Sequence, residues 1–153
     1  MRIAVGSDHA GYALKSTIVD HLTAGGHDVV DLGAESAEVS VDYPMYGHAV
    51  GEAVAEGRAE RGVCVCGSGI GMSIAANKVR GVRAALVHDE LTAEMSRSHN
   101  DANVVCMSAD LLGQKLIEKI VEIWLTTPFQ GGRHERRVKK IHAIENGVDP
   151  ATM

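Results

Sequence analysis

Short apolar runs alternate with amphipathic stretches along the whole chain. Arg2-Ile3-Ala4-Val5-Gly6 reads as a first strand that ends in Ser7-Asp8-His9. Leu14, Ile18 and Leu22 recur at the spacing of one helical face, which predicts a helix from Tyr12 to Ala24 closed by Gly25-Gly26. Asp28 to Leu32 reads as a second strand, and Gly33 to Tyr43 as a polar loop. Pro44 suits the first position of a helix reaching about Ala59. The run from Val63 to Cys66 is a third strand, followed by a glycine-rich loop and a helix over Met72 to Val79. Val82 to Val87 and Asn103 to Met107 complete the strands, with Asp89 capping an intervening helix that carries Leu91 and Met95. Leu112, Leu116, Ile120 and Trp124 align on a helix from about Leu111 to Leu125, Thr126 to Gly132 breaks it, and Val138, Ile141 and Ile144 line up on a last helix.

Five such alternations predict a parallel sheet with right-handed crossovers. The expected fold is α/β: a single doubly wound, Rossmann-like domain over residues 1–153, its five-stranded parallel sheet flanked by helices in an α/β/α sandwich. With strand order 2-1-3-4-5, the chain changes direction between strands one and three. The loops after those strands, Ser7-Asp8-His9 and Cys66 to Gly71, then flank one crevice.

That second loop is where the chain concentrates chemistry. Val63-Cys64-Val65-Cys66-Gly67-Ser68-Gly69-Ile70-Gly71 passes from a buried strand into Gly-x-Gly-x-Gly, and amides of such a loop, with the helix dipole behind them, suit an anion. A free thiol titrates near ~8.5 and is lowered by a helix N-terminus, so Cys66 is a candidate base beside donors that stabilise the charge it creates. The spacing is not that of a dinucleotide fingerprint, and no Gly-Lys-Ser/Thr follows as in a Walker loop. Cys64 and Cys66 share a strand face with no second ligand pair nearby, so no metal site is expected; Cys64 and Cys106 read as buried structural thiols.

Composition narrows the classes. At 153 residues the chain buries about 70% of its unfolded surface without staples. Three cysteines, no signal peptide and no apolar run of membrane length point to free thiols in a reducing cytoplasm and to no membrane partner. A net charge of -5 argues against nucleic acid, as does the scarcity of aromatics for base stacking. The exception is Arg133-His134-Glu135-Arg136-Arg137-Val138-Lys139-Lys140, basic enough to hold an anion, with Arg133 and Arg137 four apart on one helical face. His99-Asn100-Asp101 ends the helix after strand four, at the sheet edge opposite the crevice. If this histidine and the arginines are functional, a second subunit most simply brings them to the crevice, so the expected assembly is a homodimer with composite sites, a tetramer of paired dimers being its extension.

Together, Gly6-Ser7-Asp8-His9-Ala10-Gly11, Asp42-Tyr43-Pro44, Cys66-Gly67-Ser68-Gly69-Ile70-Gly71, Ile74-Ala75-Ala76-Asn77-Lys78, Ser98-His99-Asn100-Asp101-Ala102-Asn103 and Gly131-Gly132-Arg133-His134-Glu135-Arg136-Arg137 resemble the type B ribose-5-phosphate isomerases, related to galactose-6-phosphate isomerase. The resemblance implies a cofactor-free, metal-free aldose–ketose isomerisation, interconverting ribose 5-phosphate and ribulose 5-phosphate through an enediolate. It assigns Cys66 as the base between C1 and C2, with Ser68 and the amides of Gly67, Gly69, Ile70 and Gly71 on the oxyanion. His99 matches the acid that opens the furanose ring and Asp8 its assistant. His9, Arg133 and Arg137 match phosphate contacts, Tyr43 and Asn100 sugar contacts, and the helix at about 133–146 is expected to pack on the partner subunit. One departure stands out: Asp110, in Ser108-Ala109-Asp110-Leu111-Leu112-Gly113, occupies a position where the family commonly has a phosphate-binding arginine. A tetrose 4-phosphate or hexose 6-phosphate therefore stands as the alternative substrate, and a non-catalytic sugar-phosphate-binding subunit as the alternative role.

Overall fold

A computed structural model describes residues 1–153. Strands β1 (Arg2–Ser7), β2 (Asp28–Asp31), β3 (Arg61–Cys66), β4 (Ala84–Leu86) and β5 (Val104–Ser108) alternate with helices α1 (Tyr12–Ala24), α2 (Tyr43–Ala55), α3 (Ile70–Asn77), α4 (Glu90–Ser98), α5 (Gln114–Thr126) and α6 (Arg133–Glu145); a single 3-10 turn, Pro150–Thr152, follows. All strand pairings are parallel. No helix is long and apolar enough to cross a membrane.

The strand order is β2-β1-β3-β5-β4, which corrects the expected 2-1-3-4-5. The chain leaves β3, skips a place, and returns to insert β5 between β3 and β4. Handedness then dictates the layers: connections running one way along the sheet lie on one face, and those running back lie on the other. The steps β1 to β2 and β4 to β5 run the same way, so α1 and α4 share a face, joined there by α5; α2 and α3 take the other. Strand residues follow this division with a period of two. Ile3, Val5, Val63, Val65, Val105 and Met107 pack with Ile18, Leu22, Ile117, Ile120 and Trp124. Ala4, Cys64, Cys66, Val104 and Cys106 pack with Val50, Ala53, Met72 and Ala76 on the opposite face. Each large side chain so enclosed contributes about 1.5–3 kcal/mol of burial free energy.

Several element boundaries differ from the sequence pattern. Helix α2 starts at Tyr43, with Pro44 in its first turn, and stops at Ala55; α3 begins at Ile70, two residues early; α5 begins at Gln114 and leaves Leu112 in the preceding loop. Asp89 caps α4 as expected, its carboxylate accepting from the Thr92 amide at 2.7 Å. Leu91 and Met95, however, are exposed: α4 turns Ala93 and Arg97 inward instead. Of the aligned apolar residues of α6, Val138 is half-buried but Ile141 and Ile144 are bare, 43% and 61% exposed.

Candidate active site

Strand β1 lies beside β3, with Ser7 in register with Val65, so the loops after both strands emerge together. Asp8 and Cys66 sit at these strand ends, 7% and 4% exposed, just beneath the loop surface. The Asp8 carboxylate accepts the Gly11 amide at 3.0 Å, and His9 Nδ1 accepts the Val41 amide at 3.1 Å, which ties the polar loop to the crevice. Tyr43 lies across the glycine loop so closely that a Cβ on Gly71 would fall 2.3 Å from its ring.

The glycine loop divides its amides between two tasks. Gly69 donates to Cys66 Sγ at 3.1 Å and Ile70 to Ser68 Oγ at 3.2 Å. The amides of Gly67, Ser68 and Gly71 have no partner in the chain. Their directions are imposed from β5. The Cys66 carbonyl accepts from the Ala109 amide at 2.9 Å, and the Gly67 carbonyl from the Asp110 amide at 3.0 Å and the buried Ser108 hydroxyl at 2.7 Å. In a trans peptide, C=O and N–H point oppositely, so drawing these carbonyls toward β5 turns the next N–H groups away from it, toward the open side. Gly69 makes the turn possible: its φ of 76° is left-handed, and a Cβ there would lie 2.7 Å from Leu86 Cδ1 and 2.8 Å from the Met107 carbonyl carbon. The result is a thiol that receives one amide and faces several unpaired donors at a helix N-terminus, a geometry for negative charge.

The three thiols separate by position. Cys64 and Cys106 pair across β3 and β5 and are fully buried; the hydrogen bond between them, with burial, holds Cys106 well above the usual thiol range. Only Cys66 reaches a loop.

His99, Asn100, Arg133 and Arg137 form a second cluster. Helix α4 runs back across the sheet, so His99 at its end lies at the edge where strands begin, about 17 Å of strand from Cys66. Its ring stacks on His134 with centroids 4.1 Å apart and planes 6° apart. Burial, then His99, Arg133 and Arg137, hold His134 below the ordinary imidazole range. Asp101, in the left-handed region at φ 46°, is fastened by Arg97 at 2.8 Å and Arg83 at 3.1 Å, which fixes the turn carrying His99 and Asn100. Within one chain, then, Cys66, Ser68, Asp8, His9, Tyr43 and the Gly67–Gly71 loop come together, whereas His99, Asn100, Arg133 and Arg137 do not join them. The sequence pattern carried no sign of the Ser108 brace, the Asp101 anchor or the His134 stack, because each depends on residues brought together from different elements.

A doubly wound sheet whose strand-end crevice holds a thiol beside oriented amides defines an open α/β protein that takes a small anionic ligand at its switch point. More particularly, the chain belongs to the Ribose/Galactose Isomerase family, whose model matches residues 3–141. It is 45% identical to ribose-5-phosphate isomerase B of Escherichia coli over 144 residues, covering 94% of this chain and 96% of that one. It is 38% identical to a D-erythrulose-4-phosphate isomerase of Pectobacterium atrosepticum, covering 95% and 96%. The structure of Clostridium thermocellum ribose-5-phosphate isomerase B superposes with a TM-score of 0.94 at 50% identity, covering 96% and 99%. That of the Mycoplasma genitalium enzyme with bound ribulose-5-phosphate gives 0.91 at 41%, covering 95% and 96%.

Proposed function

We propose that the chain is an aldose–ketose isomerase that interconverts ribose 5-phosphate and ribulose 5-phosphate at the crevice between β1 and β3. The observation that carries this reading is the Cys66 sulfur set beneath the unpaired amides of Gly67, Ser68 and Gly71. In the reaction, the Cys66 thiolate removes the proton from carbon 2 of the open-chain aldose and returns it to carbon 1. A proton passes from the oxygen on carbon 2 to that on carbon 1, and the enediolate between these steps is the charge the amides and Ser68 hold. One such donor is worth about 3–4 kcal/mol of transition-state stabilisation. This chemistry moves protons only and uses no cofactor.

The remaining roles complete the site from a second copy. His99 of one subunit opens the furanose ring, with Asp8 of the other assisting at the ring oxygen; Arg133 and Arg137 join His9 on the phosphate, and Asn100 joins Tyr43 on the sugar. Two features support a homodimer with such composite sites: the two clusters occupy opposite sheet edges in one chain, and α6 presents bare Ile141 and Ile144 beside its arginines. We assign α6 to packing on the partner, dimers being able to pair into tetramers, and the protein to a reducing cytoplasm, which suits three unpaired thiols. A four-carbon substrate is the second reading, favoured by the 38% identity to an isomerase acting on D-erythrulose 4-phosphate.

Cys66→Ala tests the mechanism. Turnover and exchange of the carbon-2 proton with deuterated water should both fall by roughly 10³-fold, while binding of a phosphosugar persists. Retained exchange in that variant would move the base elsewhere.

A further inference from the structure

We propose that Asp110 is a specificity-determining residue of this site: its carboxylate accepts a hydroxyl of the sugar at the rim of the glycine loop and keeps the phosphate away from that rim. The inference rests on the isomerase reading and deepens it by naming which part of the substrate meets the loop.

Three observations carry it. First, the carboxylate overhangs the loop: a Cβ built on Gly67 would lie 3.0 Å from Asp110 Oδ2, closer than any other atom of the chain outside the immediate neighbours. Second, the residue is anchored. Its own amide donates to the Gly67 carbonyl at 3.0 Å, next to the Ser108 hydroxyl on the same oxygen, so the carboxylate is delivered to the loop by main-chain bonds. Third, the carboxylate is unengaged. Asp110 is exposed and forms no ion pair and no side-chain hydrogen bond, although its carboxylate lies against the Gly67 Cα, on the residue whose amide is unpaired.

An unpaired anion at the mouth of an anion-holding loop has a direct electrostatic consequence. A phosphate dianion placed there meets a like charge at close range, and no cation of this chain lies within ion-pairing distance of Asp110 to cancel it. Lys15, a buried cation of α1, is committed to Asp31 at 2.9 Å and to the Ala34 carbonyl at 2.7 Å. A hydroxyl behaves in the opposite way: it donates to a carboxylate in a charge-assisted hydrogen bond. The rim therefore selects a phosphosugar that lays a hydroxylated carbon against Gly67 while its phosphate lies on the arginines of the second cluster. Chain length decides which group arrives there, so Asp110 discriminates among four-, five- and six-carbon sugar phosphates.

The test compares the wild-type protein with Asp110→Asn, which removes the charge and keeps the size, and Asp110→Arg, which inverts it. Two quantities are read: the inhibition constant of inorganic phosphate, and kcat/KM across the three lengths of aldose phosphate. Phosphate inhibition should tighten about threefold in Asp110→Asn and tenfold or more in Asp110→Arg. The ratio of kcat/KM between substrates should shift about tenfold in Asp110→Arg, the poorest wild-type substrate gaining most. Inhibition constants and ratios within twofold of wild type in both variants would overturn the proposal. If the wild-type protein isomerises none of the sugars, the isomerase reading fails instead, and phosphate affinity measured by calorimetry on the same three proteins still decides the role of Asp110.

Discussion

The two edges of the sheet are built on different terms. At the strand-end edge, Cys66, Asp8 and the glycine loop hang from buried strands, and the Cys66 and Gly67 carbonyls are tied to Ser108, Ala109 and Asp110 at the end of β5. At the opposite edge, His99, Arg133 and Arg137 stand on helix ends whose apolar neighbours are open to solvent. A site that must orient amides for a developing charge needs the rigidity of the first edge. In the function we propose, the groups that open a sugar ring and hold a phosphate arrive from outside the crevice, and the second edge keeps them on a surface another copy can bring in. On the proposed reading, half of the chemistry is internal to a chain and half belongs to assembly.

Mixing two inactive variants breaks or sharpens this contrast most strongly. Cys66→Ala and His99→Asn should each lose activity by orders of magnitude alone, whereas subunits exchanged between them should recover about a quarter of wild-type turnover, because half of the random dimers carry one intact composite site of two. No recovery after proven subunit exchange would place His99 and Cys66 in the same chain's site. Next in size is Gly69→Ala, which attacks the rigid edge. The left-handed φ and the contacts with Leu86 and Met107 should cost roughly 2–4 kcal/mol of stability by denaturant titration, with loss of turnover beyond what unfolding explains. An ordinary midpoint would mean that the loop has another conformation open to it.

The smallest effect concerns pH at the second edge. His134 is held below the ordinary imidazole value of 6.5 in the folded chain. The unfolded chain therefore takes up a proton in a range where the folded chain does not, so this residue's contribution to stability is present above about pH 6.5 and is lost as the pH falls below it. The melting temperature should drop between pH 7.5 and 5.5, and the drop should be smaller in His134→Gln. An identical drop in both proteins would separate the stacked pair from the acid sensitivity.

Much of the first edge was legible because its signals are local. An apolar run ending at Cys66, glycines at fixed offsets and a following amphipathic stretch already specify strand, loop and helix. The second edge was legible only as residue types, His99 and the paired arginines, without their surroundings. Asp101 shows why: its left-handed turn is stabilised by Arg83 and Arg97, one of them eighteen residues away in sequence.

Local pattern alone determined the number and kind of elements, the parallel α/β architecture and the placement of a thiol at a strand end, since each follows from periodicity and backbone preference within a dozen residues. The tertiary structure decided the insertion of β5 between β3 and β4, and from it everything β5 does to the loop: the carbonyls drawn toward Ala109 and Asp110, the amides left free, and the carboxylate over Gly67. Those outcomes depend on which strand pairs with β3, a choice made by packing between residues some forty positions apart, and no local preference records it.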